Sequence, residues 1–205
     1  MDGQRECNRR SGCANVILAK DLRLLTGWTL PLLALFLVPE VALAQTGDVM
    51  NQGQADLAQQ TPEDIIAGAE SAHPAALYVL TSKLMAAGRL DEAVRWFYIG
   101  QLRYRFYLMT NPPDAANAGI LFSALSESVG RPINEYAFGD VEGAVRQIDA
   151  ALAWDEAHPN QFTSKEAHPA QHANVRDGLI AMRDDMMARK QEIKETRTRN
   201  GLPNR

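Results

Sequence analysis

Cysteine occurs only twice in the 205 residues, as Cys7 and Cys13, and both precede the apolar stretch near the N-terminus. With none after Ala44, the bulk of the chain has no disulfide, no thiol nucleophile, no cysteine-based zinc site and no Cys-x-x-Cys-His haem attachment. Sustained apolar/polar alternation with β-branched enrichment, the pattern of strands, is missing as well. So are a Gly-x-Ser-x-Gly elbow, a His-Glu-x-x-His pair, a phosphate-binding glycine loop and a Ser-x-x-Lys set. Neither sign of charge dominates: 21 basic and 25 acidic residues leave a net −4, which supplies no general attraction for nucleic acid. No catalytic residue and no cofactor is assigned on these grounds, and the chain reads as a non-enzyme.

What is present begins with an address. Lys20 and Arg23 supply positive charge, Leu24 to Val38 is an apolar run of signal-peptide length, and Ala42-Leu43-Ala44 offers small residues at the two positions a signal peptidase grips. Residues 22–44 are therefore expected to be a signal peptide cleaved between Ala44 and Gln45, placing the mature chain in the periplasm. An uncleaved inner-membrane anchor is the alternative, in which this segment is the membrane contact. A span needs roughly 20 apolar residues, and Pro31 and Pro39 interrupt this one. Residues 1–21 are polar and irregular, consistent with a translation start called too early. Residues 45–60, rich in glutamine, glycine and small polar residues, read as a disordered leader.

From Thr61 to about residue 199 the periodicity predicts an all-α domain, a compact bundle or short repeat-like array of six to seven helices with a long C-terminal one. Residues 200–205 are expected to form a flexible tail. Thr61-Pro62-Glu63-Asp64 and His73-Pro74 are helix starts, and Gly88 ends the second helix. Asp91 is expected to cap the third. That helix, apolar on nearly every side and holding six aromatic residues between Trp96 and Tyr107, should be central. Further helices are expected from about Asp114 to Val129, after Pro132, from Asp140 to about Glu156, and from Pro169 to the C-terminal region. The last carries a stripe of Val175, Leu179, Met182, Met186 and Ile193, with Arg189 at the missing seam position.

Leu77, Leu80 and Leu84, the turn glycine Gly88, and Ala93-x-x-x-Phe97 resemble one tetratricopeptide or Sel1-like helical hairpin over about residues 77–102. The pattern departs at Thr81 and Gly100 and lacks the closing proline, and a fainter echo at Gly139 to Ala144 is out of tandem register. The resemblance implies a groove for a protein or peptide partner and no intrinsic catalysis.

Three constellations suggest sites. Arg95, Arg103 and Arg105 interleave with aromatic rings, so Trp96, Tyr98, Arg103, Tyr104 and Tyr107 are candidate binding residues. The competing reading buries the helix and pairs these arginines with acids such as Glu127, Glu135 or Asp140. His158, His168 and His172 are the candidate metal ligands, His168 and His172 being at i, i+4 spacing. However, three of the four histidines precede proline at helix boundaries, which suggests capping. Met182, Met186 and Met187 are thioether candidates for copper or, more simply, adaptable apolar surface. The reading is thus an exported, non-catalytic protein- or peptide-binding helical module, of which an inhibitor or immunity-type protein is a narrower form. The alternatives are a cell-envelope enzyme acting on glycan or peptide, for which Glu135 or Asp140 near Tyr136 would be the carboxylates, and a periplasmic metal-handling protein. N-terminal sequencing of the chain recovered from the cell envelope is expected to begin at Gln45; an N-terminus at Met1 would reject both the cleavage and the shorter start.

Overall fold

The computed structural model describes residues 57–111 and 115–205. The N-terminal extension, the signal segment and most of the leader lie outside the described residues. After a helical turn at 57–59 come α1 (Pro62–Ala67), α2 (Pro74–Ala86), α3 (Leu90–Thr110) and α4 (Ala115–Leu125). A π-helical turn (Ser126–Gly130) then leads directly into α5 (Arg131–Ala137), followed by α6 (Val141–Ala157), α7 (Pro169–Ala188) and α8 (Lys190–Arg199). The described residues contain no strand, and the fold is all-α.

Local chemistry sets most of the boundaries. Thr61 and Asp64 form a reciprocal capping box: the Asp64 backbone N–H donates to Thr61 Oγ1 and the Thr61 N–H donates to Asp64 Oδ2. His73 caps α2 in an unusual way, its Nδ1 accepting from the Ala75 N–H at 3.1 Å. Gly88 takes φ of 74° at the turn between α2 and α3, a conformation that costs a side-chain-bearing residue energy. Asp140 caps α6 by accepting from the Gly143 N–H.

α3 is the axis of the domain. Leu77, Leu80 and Leu84 of α2 pack against it, with Ala93 and Phe97 on the α3 side, all buried. Along another side the chain from α4 through the π turn to α5 runs antiparallel to α3. Ala118 O accepts from Tyr104 Oη, Ser126 Oγ from Gln101 and Asn134 Oδ1 from Tyr98 Oη. Gly130 permits this approach, because a Cβ there would stand 2.9 Å from Phe97 Cζ. α6 covers a third side, and α7 returns antiparallel to α6, as the pairs Leu152–Arg176 and Asp149–Arg183 show, with Lys190 at the start of α8 reaching Glu142.

Four expectations are corrected. The C-terminal helix is two: α7 stops at Ala188, and Arg189 adopts φ −100° and ψ 13° while holding Asp185 and Glu192. A charged residue in the seam has nothing apolar to bury, so the chain turns there, and α3 with 21 residues is longer than α7 with 20. Asp91 does not cap α3; the N-cap position falls two residues earlier, at Arg89, and the Asp91 carboxylate accepts from Tyr136 Oη at 2.8 Å. The ordered domain starts before Thr61, since Leu57 packs on the core and Ala58 O accepts from Lys83. Residues 200–205 do not hang free: Arg205 donates to Gly139 O and Tyr136 O and lies 3.6 Å from the Tyr136 ring centroid, while Pro203 O accepts from Arg197.

His73 is packed edge-on against Tyr104, Tyr107 and Phe162, and burial holds its imidazole below the ordinary histidine value. Its cap requires the neutral ring. The stabilisation is therefore complete above the unfolded value of about 6.5 and declines as the pH falls through the lower folded value. Urea midpoints compared at pH 7 and pH 5 are expected to drop more in the natural chain than in His73→Asn, whose amide caps without titrating; equal drops would remove His73 as the source.

Candidate functional site

Two features of the domain carry unusual chemistry, one sealed and one open. The sealed one surrounds Arg103 and Asp155, both 0% exposed. Arg103 donates from Nη1 to Ala69 O at 2.6 Å and from Nη2 to Pro159 O at 2.8 Å. Its guanidinium lies 4.7 Å from the Trp154 ring centroid, a favourable cation–π arrangement. Burial pulls its pKa down, and the nearby Asp155 charge acts the other way. Asp155 in turn meets His172 Nε2 at 2.8 Å, Arg176 Nη1 at 2.9 Å and Lys165 Nζ at 3.5 Å. The buried Asp155 carboxylate thus sits among partly exposed basic side chains, Arg176 also pairs with Glu156, and Lys165 donates to the Asp155 and His158 carbonyls. The connector between α6 and α7 is held down by these bonds and by the Gln161 N–H donating to Glu70 O.

This arrangement accounts for most of the sequence-predicted residues. Trp96 is buried edge-on to Trp154. Tyr98 and Tyr104 are buried with their hydroxyls donating to Asn134 Oδ1 and Ala118 O. Tyr107 is half-buried against His73 and Phe162. Arg103 pairs with none of the acids expected for it; Glu127 meets Arg131, and Asp140 meets Arg146. The three histidines do not converge. His158 stacks on Trp154 and contacts its carbonyl through Nδ1, His168 faces Phe106, and His172 is held by Asp155. No group of three or more histidine, cysteine, aspartate or glutamate side chains among the described residues is placed to hold a metal ion.

The open feature is a groove of about 950 Å³ along the remaining side of α3. Its floor is one face of that helix, from Phe97 through Tyr98, Leu102 and Arg105 to Met109, a helical spacing that spans about 18 Å. Phe122 of α4, Ser126 and Glu127 of the π turn and Asn134 of α5 form one wall; Asn174, Val175, Gly178, Leu179 and Met182 of α7 form the other. Met109 and Met182 stand at the lips, 44% and 37% exposed. Beside the groove, α4 has no charged residue and buries none of its eleven, leaving Ile120 71% exposed. Phe97, Tyr98 and Leu102 at the bottom of the groove are themselves buried, so the exposed apolar area lies at its edges.

Of the five predicted binding residues, Tyr98 alone lines this groove. The other groove residues carry no signal in the sequence because each is ordinary by itself. A signal did exist in the uncharged run from Ala115 to Ser126, which is unusual for a helix that is not buried. Among the described residues no helix is long and apolar enough to cross a membrane.

An all-α domain with an open groove along its central helix is the class that fold and site define. A 121-residue stretch is 30% identical to an uncharacterized protein of Haemophilus influenzae, covering 58% of this chain and 47% of that protein. The chain spans about half the length of the curated relative it matches. No protein-family model and no solved structure matches it.

Replacing Asp155 by asparagine removes the anion while leaving Arg103, Lys165 and Arg176 in place. Breaking a buried ion pair from one side costs about 3–5 kcal/mol. Denaturant unfolding of Asp155→Asn is expected to show a loss of that size; a loss below about 1 kcal/mol, the range of surface pairs, would mean that water reaches the cluster.

Proposed function

We propose that this protein is an exported, non-catalytic binding module that receives a segment of a protein or peptide in the groove over α3. The observation that supports the reading is the concave surface between α4 and α7, where Met109 and Met182 are exposed beside the uncharged, unburied helix α4. Methionine suits this role because its unbranched, polarisable side chain adapts to different apolar shapes. Neutral hydrogen-bonding groups at Gln101, Ser126, Asn134 and Asn174 are interspersed, the mixture of apolar area and sparse polar anchors found in binding sites. The export signal read between Lys20 and Ala44 supports a periplasmic setting, and the hairpin of α2 and α3 supports the tetratricopeptide-like resemblance. Neutralising an exported toxin or wall enzyme is a narrower form of the same activity.

Gly178 provides the test. It lies exposed on α7 at the groove wall, and a Cβ added there meets nothing within 4 Å. Gly178→Ala is expected to raise stability by about 0.5–1 kcal/mol through helix propensity and to leave binding intact. Gly178→Trp should fold equally well and fill the groove. Affinity capture from the envelope, compared across the three chains, is expected to recover a partner with the natural chain and the alanine variant and to lose it with tryptophan. Equal recovery with the filled groove would place binding elsewhere, and repeated recovery of nothing by the natural chain would overturn the function.

A further inference from the structure

We infer that the corner between α5 and α6 is a binding site for a peptide-borne arginine, that Arg205 fills it as an internal ligand, and that the order of α8 depends on that occupancy. This site is separate from the groove and does not rest on it. Its base is the Tyr136 ring, whose hydroxyl donates to Asp91 Oδ1 at 2.8 Å and is thereby fixed in direction. The Arg205 guanidinium lies 3.6 Å from the ring centroid, its Nη2 donates to Tyr136 O at 2.9 Å, and its backbone N–H donates to Gly139 O at 2.6 Å. Both the side chain and the main chain of the arginine are thus read. A ring face beside a carbonyl suits a planar guanidinium, whereas a lysine ammonium would lose the stacking. Gly139 makes the room: a Cβ there would stand 3.2 Å from Arg205 Nε and 3.3 Å from Arg197 Nη2.

Little else holds α8. Most of its ten residues are exposed and Ile193 is its one apolar side chain, and a helix of that length is marginal by itself in water. Ile193 and the pairing of Lys190 with Glu142 secure its first turn. Its last turn depends on the residues that follow. The chain reverses at Gly201, with φ of 71°, and the Leu202 N–H returns to Arg197 O. Residues 203–205 then run back beside the helix, where the buried Arg197 donates to Pro203 O at 2.7 Å and Asn204 Nδ2 donates to Lys194 O and Thr198 Oγ1. Arg205 carries this strap across to the body of the domain. It is exposed, so an arginine from a protein partner has access to the same ring, and exchange of the two would release the strap and the last turn of α8 together.

The test uses the full chain, its Arg205→Ala variant, and Tyr136→Leu, which removes the ring and keeps the tail. Hydrogen exchange read by mass spectrometry is expected to accelerate at least ~5-fold over residues 194–202 in both variants and to stay unchanged in α2 and α3. N-acetylarginine amide, titrated while the Tyr136 ring signals are followed by NMR, is expected to shift them in Arg205→Ala at a concentration at least ~5-fold lower than in the natural chain, where the tail competes. N-acetylcitrulline amide, of the same shape but uncharged, should shift them in neither. Unchanged exchange in both variants overturns the strap, and so does acceleration spread equally over α2 and α3. Equal titrations of the natural chain and Arg205→Ala, no shift in either, or equal effects of the arginine and citrulline compounds overturn the arginine site.

Discussion

The burial of Arg103 is the constraint to which the rest of the domain is fitted. A guanidinium cannot shed its charge in a protein interior, so every route to enclosing it requires acceptors and a counter-charge. The acceptors come from the ends of two connections, Ala69 and Glu70 before α2 and Pro159 after α6, and the counter-charge is Asp155. Three segments distant in sequence are thereby brought to the middle of α3. Asp155 must then be held by Lys165, His172 and Arg176, which fixes where α7 begins and how it lies on α6. Such a network adds little net stability compared with an apolar core of the same volume. Its effect is on geometry, because the hydrogen-bond directions admit few alternative packings.

That geometry leaves the groove. α6 and the start of α7 are drawn toward the Arg103 side of α3, while the chain from α4 to α5 is drawn to the other side by Tyr98, Gln101 and Tyr104. The π-helical turn matters here. An extra residue in the turn rotates α5 relative to α4, letting both helices run along α3, and Gly130 lets that turn sit on the Phe97 ring. The result is two walls with a narrow groove between them, whose bottom residues Phe97, Tyr98 and Leu102 are buried. A polar cluster thus lies on one side of α3 and a groove edged by Met109 and Met182 on the other.

The sequence was most legible where a local rule acts through a few neighbouring residues. The starts at Thr61 and His73 depend on side chains one or two positions away, and the turn at Gly88 depends on backbone sterics. The centrality of α3 is visible in its aromatic density. Errors arose where a residue had two local options and a distant partner chose between them. Asp91 has a capping side chain at a helix start, but Tyr136, 45 positions on, claims its carboxylate. Arg205 reads as part of a fraying tail, yet Gly139 and Tyr136 offer it carbonyls and a ring face.

What the sequence determined by itself is the helical class, the succession of helices and the rule that packing without disulfides must hold the later chain together. These depend on periodicity, caps and composition, which are properties of neighbouring residues. Only the tertiary structure decided which aromatic residues are core, which arginine is sealed in and which is left facing a groove. Arg103 and Arg105 are two residues apart on one helix, and no local pattern separates a buried cation from an open one. The difference comes from what lies opposite each: two carbonyl-bearing connections and Asp155 for the first, and the Phe122 ring, Gln101 and open solvent for the second.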